Sequence, residues 1–150
     1  YGPGEAYGPG GHVVPELIRK VLEAREGGTV EVWGDGTATR AFLYVDDAVD
    51  AYVAATGLSG THIMNIGYPR WLSMEELVLL LIGYSGKRLT PVFNPDKPTG
   101  VIGRTPDITT AKLMLGWEPK ISPEEGLRRT FDWYAERVGV GRRAQPVPQA

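Results

Sequence analysis

With 150 residues, 42% of them hydrophobic, the chain has room for one domain with a real core and not for two ordinary ones. A net charge of -2 gives no bulk attraction to nucleic acid or an anionic membrane, and the absence of cysteine removes disulfides, a thiolate nucleophile and cysteine-ligated zinc. His12 and His62 are isolated, which argues against a metal cluster, and the longest apolar run, Leu77 to Ile82, is far shorter than a membrane span, so a soluble cytoplasmic protein is expected.

The chain opens YGPGEAYGPGGHVVP, with Tyr-Gly-Pro-Gly repeated. A phosphate loop requires consecutive backbone N–H donors and usually a Lys-Ser or Lys-Thr pair at the next helix. Pro3 and Pro9 each remove a donor and no such pair follows, so the stretch reads as turns leading into a helix. Pro15 suits that helix's first turn, and Leu17, Ile18, Val21 and Leu22 recur on one face until Gly27-Gly28. Val30 to Trp33 alternates like a strand, Gly34 to Thr37 turns the chain, and Arg40 to Val45 reads as a second strand, together a hairpin.

Asp46 or Asp47 is placed to cap the next helix, which ends at Gly57; capping and the helix dipole explain this adjacent pair better than a catalytic dyad does. His62 to Ile66 reads as a buried strand. Ser73 and Glu76 have capping-box spacing, predicting a helix to about Ser85 that Gly86 terminates. Leu89 to Phe93 is a further strand candidate, and Asp107 or Thr109 opens a short helix ending at Gly116. Ser122-Pro123-Glu124-Glu125 starts a last helix with Leu127, Phe131, Tyr134 and Val138 as its buried stripe. The expectation is an α/β chain of short strands and four or five helices over residues 1–138, with a disordered polar tail over 139–150.

Candidate chemistry falls at loop and strand ends: His12 before the first helix, Lys20 within it, Trp33 and Arg40 flanking the turn, and Arg104 after the long Pro/Gly-containing loop. Three cations and an aromatic suit a diphosphate attached to a planar base, because arginine grips phosphate with a fork and tryptophan offers a stacking face. Taken singly, Lys20 and Arg104 also fit ordinary surface charges, and Trp33 also fits a core or edge-strand aromatic.

YGPG, HVVPELIRK, VEVWGDGTATRAFLYVDDAVDAY, NIG, DKPTGVIGRTPDIT and GWEPKISPEEGLRRTFDWY occur in this order. In order and spacing they resemble the C-terminal, substrate-binding half of the extended short-chain dehydrogenase/reductases, the NAD-dependent epimerases and dehydratases of nucleotide sugars. The motifs resemble the GDP-L-fucose synthase subfamily most closely. The resemblance implies the substrate lobe of a Rossmann-type α/β enzyme that 3,5-epimerises and then reduces GDP-4-keto-6-deoxymannose with NADP, NAD being the alternative cofactor. It casts His12 as the acid/base of epimerisation and a cofactor-side contact, and Lys20, Trp33, Arg40 and Arg104 as substrate-binding residues. It also implies a homodimer and a GDP-linked sugar as ligand.

Two departures accompany it. An ungapped alignment puts Thr90 where some members carry a basic contact, with Lys87 and Arg88 as nearby substitutes. The family's cofactor half, with its glycine fingerprint and Tyr-x-x-x-Lys pair, would precede Tyr1, so a fragment inactive on its own is expected. The alternatives are an NAD-dependent 4-epimerase or 4,6-dehydratase acting on UDP or dTDP sugars, and a stand-alone nucleotide-sugar binding module.

Overall fold

The computed structural model describes residues 1–8, 11–99 and 102–139; the expected tail, apart from Gly139, lies outside the described residues. The elements in chain order are α1 (Val13–Glu23), β1 (Thr29–Trp33), β2 (Thr39–Arg40), α2 (Val45–Ala55), β3 (Leu72–Ser73), α3 (Met74–Ser85), β4 (Thr90–Asn94), α4 (Thr109–Leu115) and α5 (Pro123–Arg137). Among the described residues this is an α/β arrangement with short strands and five helices, as the sequence pattern leads one to expect.

The main core is a helical layer laid on one face of β1. Leu17, Ile18, Val21 and Leu22 of α1, Leu77, Val78 and Leu81 of α3, and Leu127, Phe131 and Tyr134 of α5 bury their apolar stripes around Val30 and Val32. Val138, expected on the same stripe, is the C-cap residue of α5 and 43% exposed. The capping signals hold. Ser73 Oγ accepts the Glu76 N–H while the Glu76 carboxylate takes the Ser73 N–H, and Gly86 closes α3 in the left-handed region at φ 65°. Ser122 caps α5, with Pro123 opening its first turn.

The strands pair differently from the hairpin expected. β1 runs parallel to β4, with Thr29 opposite Thr90 and Trp33 opposite Asn94, while β2 pairs antiparallel with β3. The turn after β1 is the reason. Asp35 Oδ1 takes both the N–H and the hydroxyl of Thr37, and the Gly34 N–H goes to Asn94 O, so the chain is tied to β4 instead of folding back on β1. Gly36, at φ 87°, rests on the Phe93 ring, where a Cβ would come within 2.6 Å. Of the expected second strand, Arg40 to Val45, only Arg40 joins a ladder, with Thr39 before it, and α2 already begins at Val45. Residues 62–66 form no strand either: Met64 and Ile66 half-bury against Ala51, Ala111 and Trp117 in a second, smaller cluster, while Ile63 is exposed.

Asp47 does more than the helix start requires. Its carboxylate is buried and accepts the N–H groups of Lys120 and Ile121 at 3.0 and 2.9 Å, while its carbonyl accepts the Trp117 indole N–H. It thereby ties α2 to the segment between α4 and α5. Neither aspartate makes a side-chain cap, since the N-cap residue is Tyr44.

Candidate functional site

A cleft of about 430 Å³ opens between the N-terminal half of α1, the end of β1 and the start of β2. Leu17, Val32, Ala38 and Met74 form its apolar floor; Lys20, Trp33 and Arg40 stand on its walls, and Pro98 closes one side. Helical periodicity explains the first contribution: Leu17 is buried on α1, and Glu16 and Lys20 flank it one turn apart. Strand alternation explains the second, since Val30 and Val32 point into the core and Thr29, Glu31 and Trp33 point out.

Lys20 is held in place. Its Nζ donates to Glu31 O at 3.0 Å and lies 3.9 and 3.8 Å from the Glu16 and Glu31 carboxylates. Glu16 is itself gripped by the Arg19 guanidinium at 2.8 and 3.0 Å, which holds its carboxyl below the usual range. Lys20 and Arg40 are the cations among the lining residues, and Glu16 is the carboxylate among them. Arg40 is exposed and donates to Thr39 O at 2.7 Å. The Glu31 carboxyl is also held low, first by the amide of Asn94 and then by Lys20, Lys97 and Trp33 around it.

Three of the five residues singled out from sequence, Lys20, Trp33 and Arg40, therefore meet in one cleft. His12 is the N-cap residue of α1 at its rim, between Gly11 and Val13, which line it. Its side chain is 86% exposed, with Nδ1 against the Glu5 carboxylate. Arg104 is exposed and is not among the lining residues, although the preceding Gly103 N–H donates to Thr39 Oγ1 and brings that loop back beside Arg40. Lys87 and Arg88 do not substitute for a basic contact there. Lys87 Nζ donates to the carbonyls of Val21, Leu22 and Ala24 at the C-terminal end of α1, and Arg88 pairs with Glu26.

Tyr1 is structural. Its N and O pair with Leu43 O and Val45 N, its ring packs edge-on to Phe42 and Tyr44, and its hydroxyl donates to Pro123 O; burial pushes the phenol far up. Sequence reasoning missed Lys97, whose ammonium stands 5.6 Å from the Trp33 ring centroid; a lysine in a Pro/Gly loop carries no local signal that it will meet a strand end.

The glycine-rich stretches are not built as phosphate loops. The glycine turn after β1 leads to β2 and not to a helix, the N–H groups of Gly34 and Thr37 are taken by Asn94 and Asp35, and Gly2 packs on Val45, where a Cβ would come within 2.5 Å. No group of three or more metal-ligating side chains occurs among the described residues, and no helix among them is long and apolar enough to cross a membrane.

Residues 1–67 match the NAD dependent epimerase/dehydratase family. The chain is 38% identical to GDP-L-fucose synthase 1 of Arabidopsis thaliana over 146 residues, 92% of this chain and 44% of that protein. It is 35% identical to GDP-mannose 3,5-epimerase of the same plant, over 72% of this chain and 28% of that protein. Among solved structures, UDP-glucose 4-epimerase of Thermotoga maritima with UDP-glucose superposes at a TM-score of 0.82 and 33% identity, covering 92% of this chain and 44% of that one. UDP-glucuronic acid 4-epimerase of Bacillus cereus, in complex with UDP-glucuronic acid and NAD, superposes at 0.77 and 29% identity, covering 91% and 43%. The chain thus spans less than half the length of these relatives.

Proposed function

Since the chain belongs to the NAD dependent epimerase/dehydratase family, whose members are NAD(P)-dependent, we propose that it supplies the nucleotide-sugar-binding lobe of an epimerase/reductase of the GDP-L-fucose synthase type. The observation that carries this reading is the convergence of Lys20, Trp33 and Arg40 on one cleft with an apolar floor. Lys20 and Arg40 face the diphosphate and the Trp33 indole forms a flat apolar wall. Arg104, on the loop that returns to Thr39, contacts the ligand from outside the cleft as it binds.

His12 takes the proton-transfer role. Inversion at a carbon beside a ketone requires removal and return of a proton, for which imidazole is suited near neutral pH. With Nδ1 engaged by Glu5, Nε2 is the nitrogen left to face a substrate. The nicotinamide supplies hydride for the later 4-reduction. This lobe is read as the substrate side of that reaction, and the chain by itself is expected to carry out no hydride step. A dimer of the complete enzyme is part of the same proposal.

Calorimetric titration with GDP, UDP and dTDP tests the ligand class. GDP is expected to bind most tightly, and Arg40→Ala is expected to cost about 1.5–3 kcal/mol of that affinity, the range for a charge-assisted contact. Equal affinity of Arg40→Ala and the parent would remove Arg40 from the site. A UDP-sugar 4-epimerase is the second reading, favoured by the 0.82 superposition on UDP-glucose 4-epimerase. Tight UDP binding with indifference to GDP would replace the first reading by the second.

A further inference from the structure

We propose that Glu5 is the positioning residue of His12: its carboxylate fixes the imidazole as the Nδ1–H tautomer, leaving the Nε2 lone pair to take the proton in the epimerising step. The inference rests on the nucleotide-sugar reading above and assigns a role to a residue outside it.

The fold builds this pair from both sides. Tyr134 of α5, itself buried, donates its hydroxyl hydrogen to Glu5 O, and the Tyr7 ring stacks on Tyr134 with centroids 4.9 Å apart. The backbone around Glu5 is thus tied to the helical layer at two points. The Gly11 N–H donates to Gly8 O at 3.2 Å and turns the chain back, and a Cβ on Gly11 would come within 3.1 Å of Ala6 O. His12 follows as the N-cap residue of α1; its carbonyl accepts the Glu16 N–H at 3.1 Å, but its side chain makes no cap. The imidazole instead presents Nδ1 to the partly buried Glu5 carboxylate while its outer edge stays open to solvent.

A carboxylate only accepts, so Nδ1 carries the hydrogen and Nε2 keeps its lone pair. When Nε2 takes a proton from the carbon beside the ketone, the C–H electron pair moves onto the ketone oxygen and the ring becomes a cation. Reprotonation of that carbon restores the neutral ring. The N-terminus of α1 opposes a cation at His12. Glu16, the acid of that first turn, is clamped by Arg19, whereas Glu5 meets the ring directly and supplies the counter-charge.

His62 is the opposite case. Its Nε2 lies 2.8 Å from Ser59 O, and a carbonyl only accepts, so there Nε2 carries the hydrogen. The sequence has just two histidines, so both tautomers are readable in one nitrogen NMR spectrum.

The test records the nitrogen shifts of both rings on the alkaline plateau of their titrations, in the parent and in Glu5→Ala. His12 is expected as Nδ1–H in the parent, and its tautomer ratio to move toward Nε2–H by about 2- to 10-fold in Glu5→Ala, the span of one hydrogen bond. His62 and the circular dichroism should not change, which reports an intact fold. An unchanged His12 ratio in Glu5→Ala, or Nε2–H as the main form of His12 in the parent, would overturn the proposal. Diethyl pyrocarbonate, which acylates the nitrogen bearing the lone pair, reads the link to function: GDP-mannose is expected to slow modification of His12 and not of His62. Calorimetric binding of GDP-mannose without that protection would also overturn the proposal, because His12 would then lie away from the sugar. No binding of GDP-mannose or UDP-glucose to the parent would overturn the nucleotide-sugar reading itself, with the tautomer ratio still deciding whether Glu5 holds His12.

Discussion

At the scale of single residues, the largest difference between pattern and structure is Asp47. An acidic residue in the first turn of a helix has a sufficient local explanation, and nothing nearby in sequence signals that its carboxylate will be buried against the N–H groups of Lys120 and Ile121. Replacing Asp47 with Asn substitutes an amide donor for one accepting oxygen and removes the charge, leaving an N–H without its partner. The expected cost is about 1–3 kcal/mol, read as a lower urea midpoint at unchanged slope. The same change at the exposed Asp46 should stay within about 0.5 kcal/mol. Lys20, Trp33 and Arg40 were legible because their types are informative and the turn between Trp33 and Arg40 holds two of them close in sequence. Lys97 was not, because its relation to Trp33 is created by the pairing of β1 with β4.

At the scale of elements, helices could be read and strand partners could not. Caps and stop signals are local: Ser73 with Glu76, Ser122 with Pro123, and the left-handed glycines at 86 and 116 each mark a boundary within a few residues of the atoms that make it. Pairing is not local, and a glycine turn between two β-rich runs resembles a hairpin whether or not the chain reverses. Gly36 decides the matter here. Its φ of 87° and the Phe93 ring beside it leave no room for a side chain, so Gly36→Ala should destabilise the fold by about 1–3 kcal/mol through overpacking and backbone strain. Equilibrium unfolding gives the value. A loss below a few tenths of a kcal/mol would mean that the turn does not depend on contact with β4.

At the scale of the whole molecule, the apolar surface is unevenly distributed. The helices around β1 bury most of their apolar side chains, whereas α2 leaves Val49, Tyr52 and Val53 exposed at 51, 69 and 65%, on a chain that spans 44% of the length of GDP-L-fucose synthase 1. Contiguous apolar surface of this kind drives association. Sedimentation velocity should show concentration-dependent self-association of the chain, reduced by the double change Val49→Gln and Val53→Gln with little loss of thermal stability. A monomer at all concentrations would mean that this face is too small or too curved to act. The parallel pairing of Thr29 with Thr90 and Trp33 with Asn94 has a kinetic consequence as well. The helix ends are set by neighbouring residues, but the wall of the cleft exists only once two distant stretches have met and the entropy of closing the intervening loop has been overcome. Trp33 is therefore expected to report on a late event in folding, since its side of the cleft is complete only when Asn94 has come beside it.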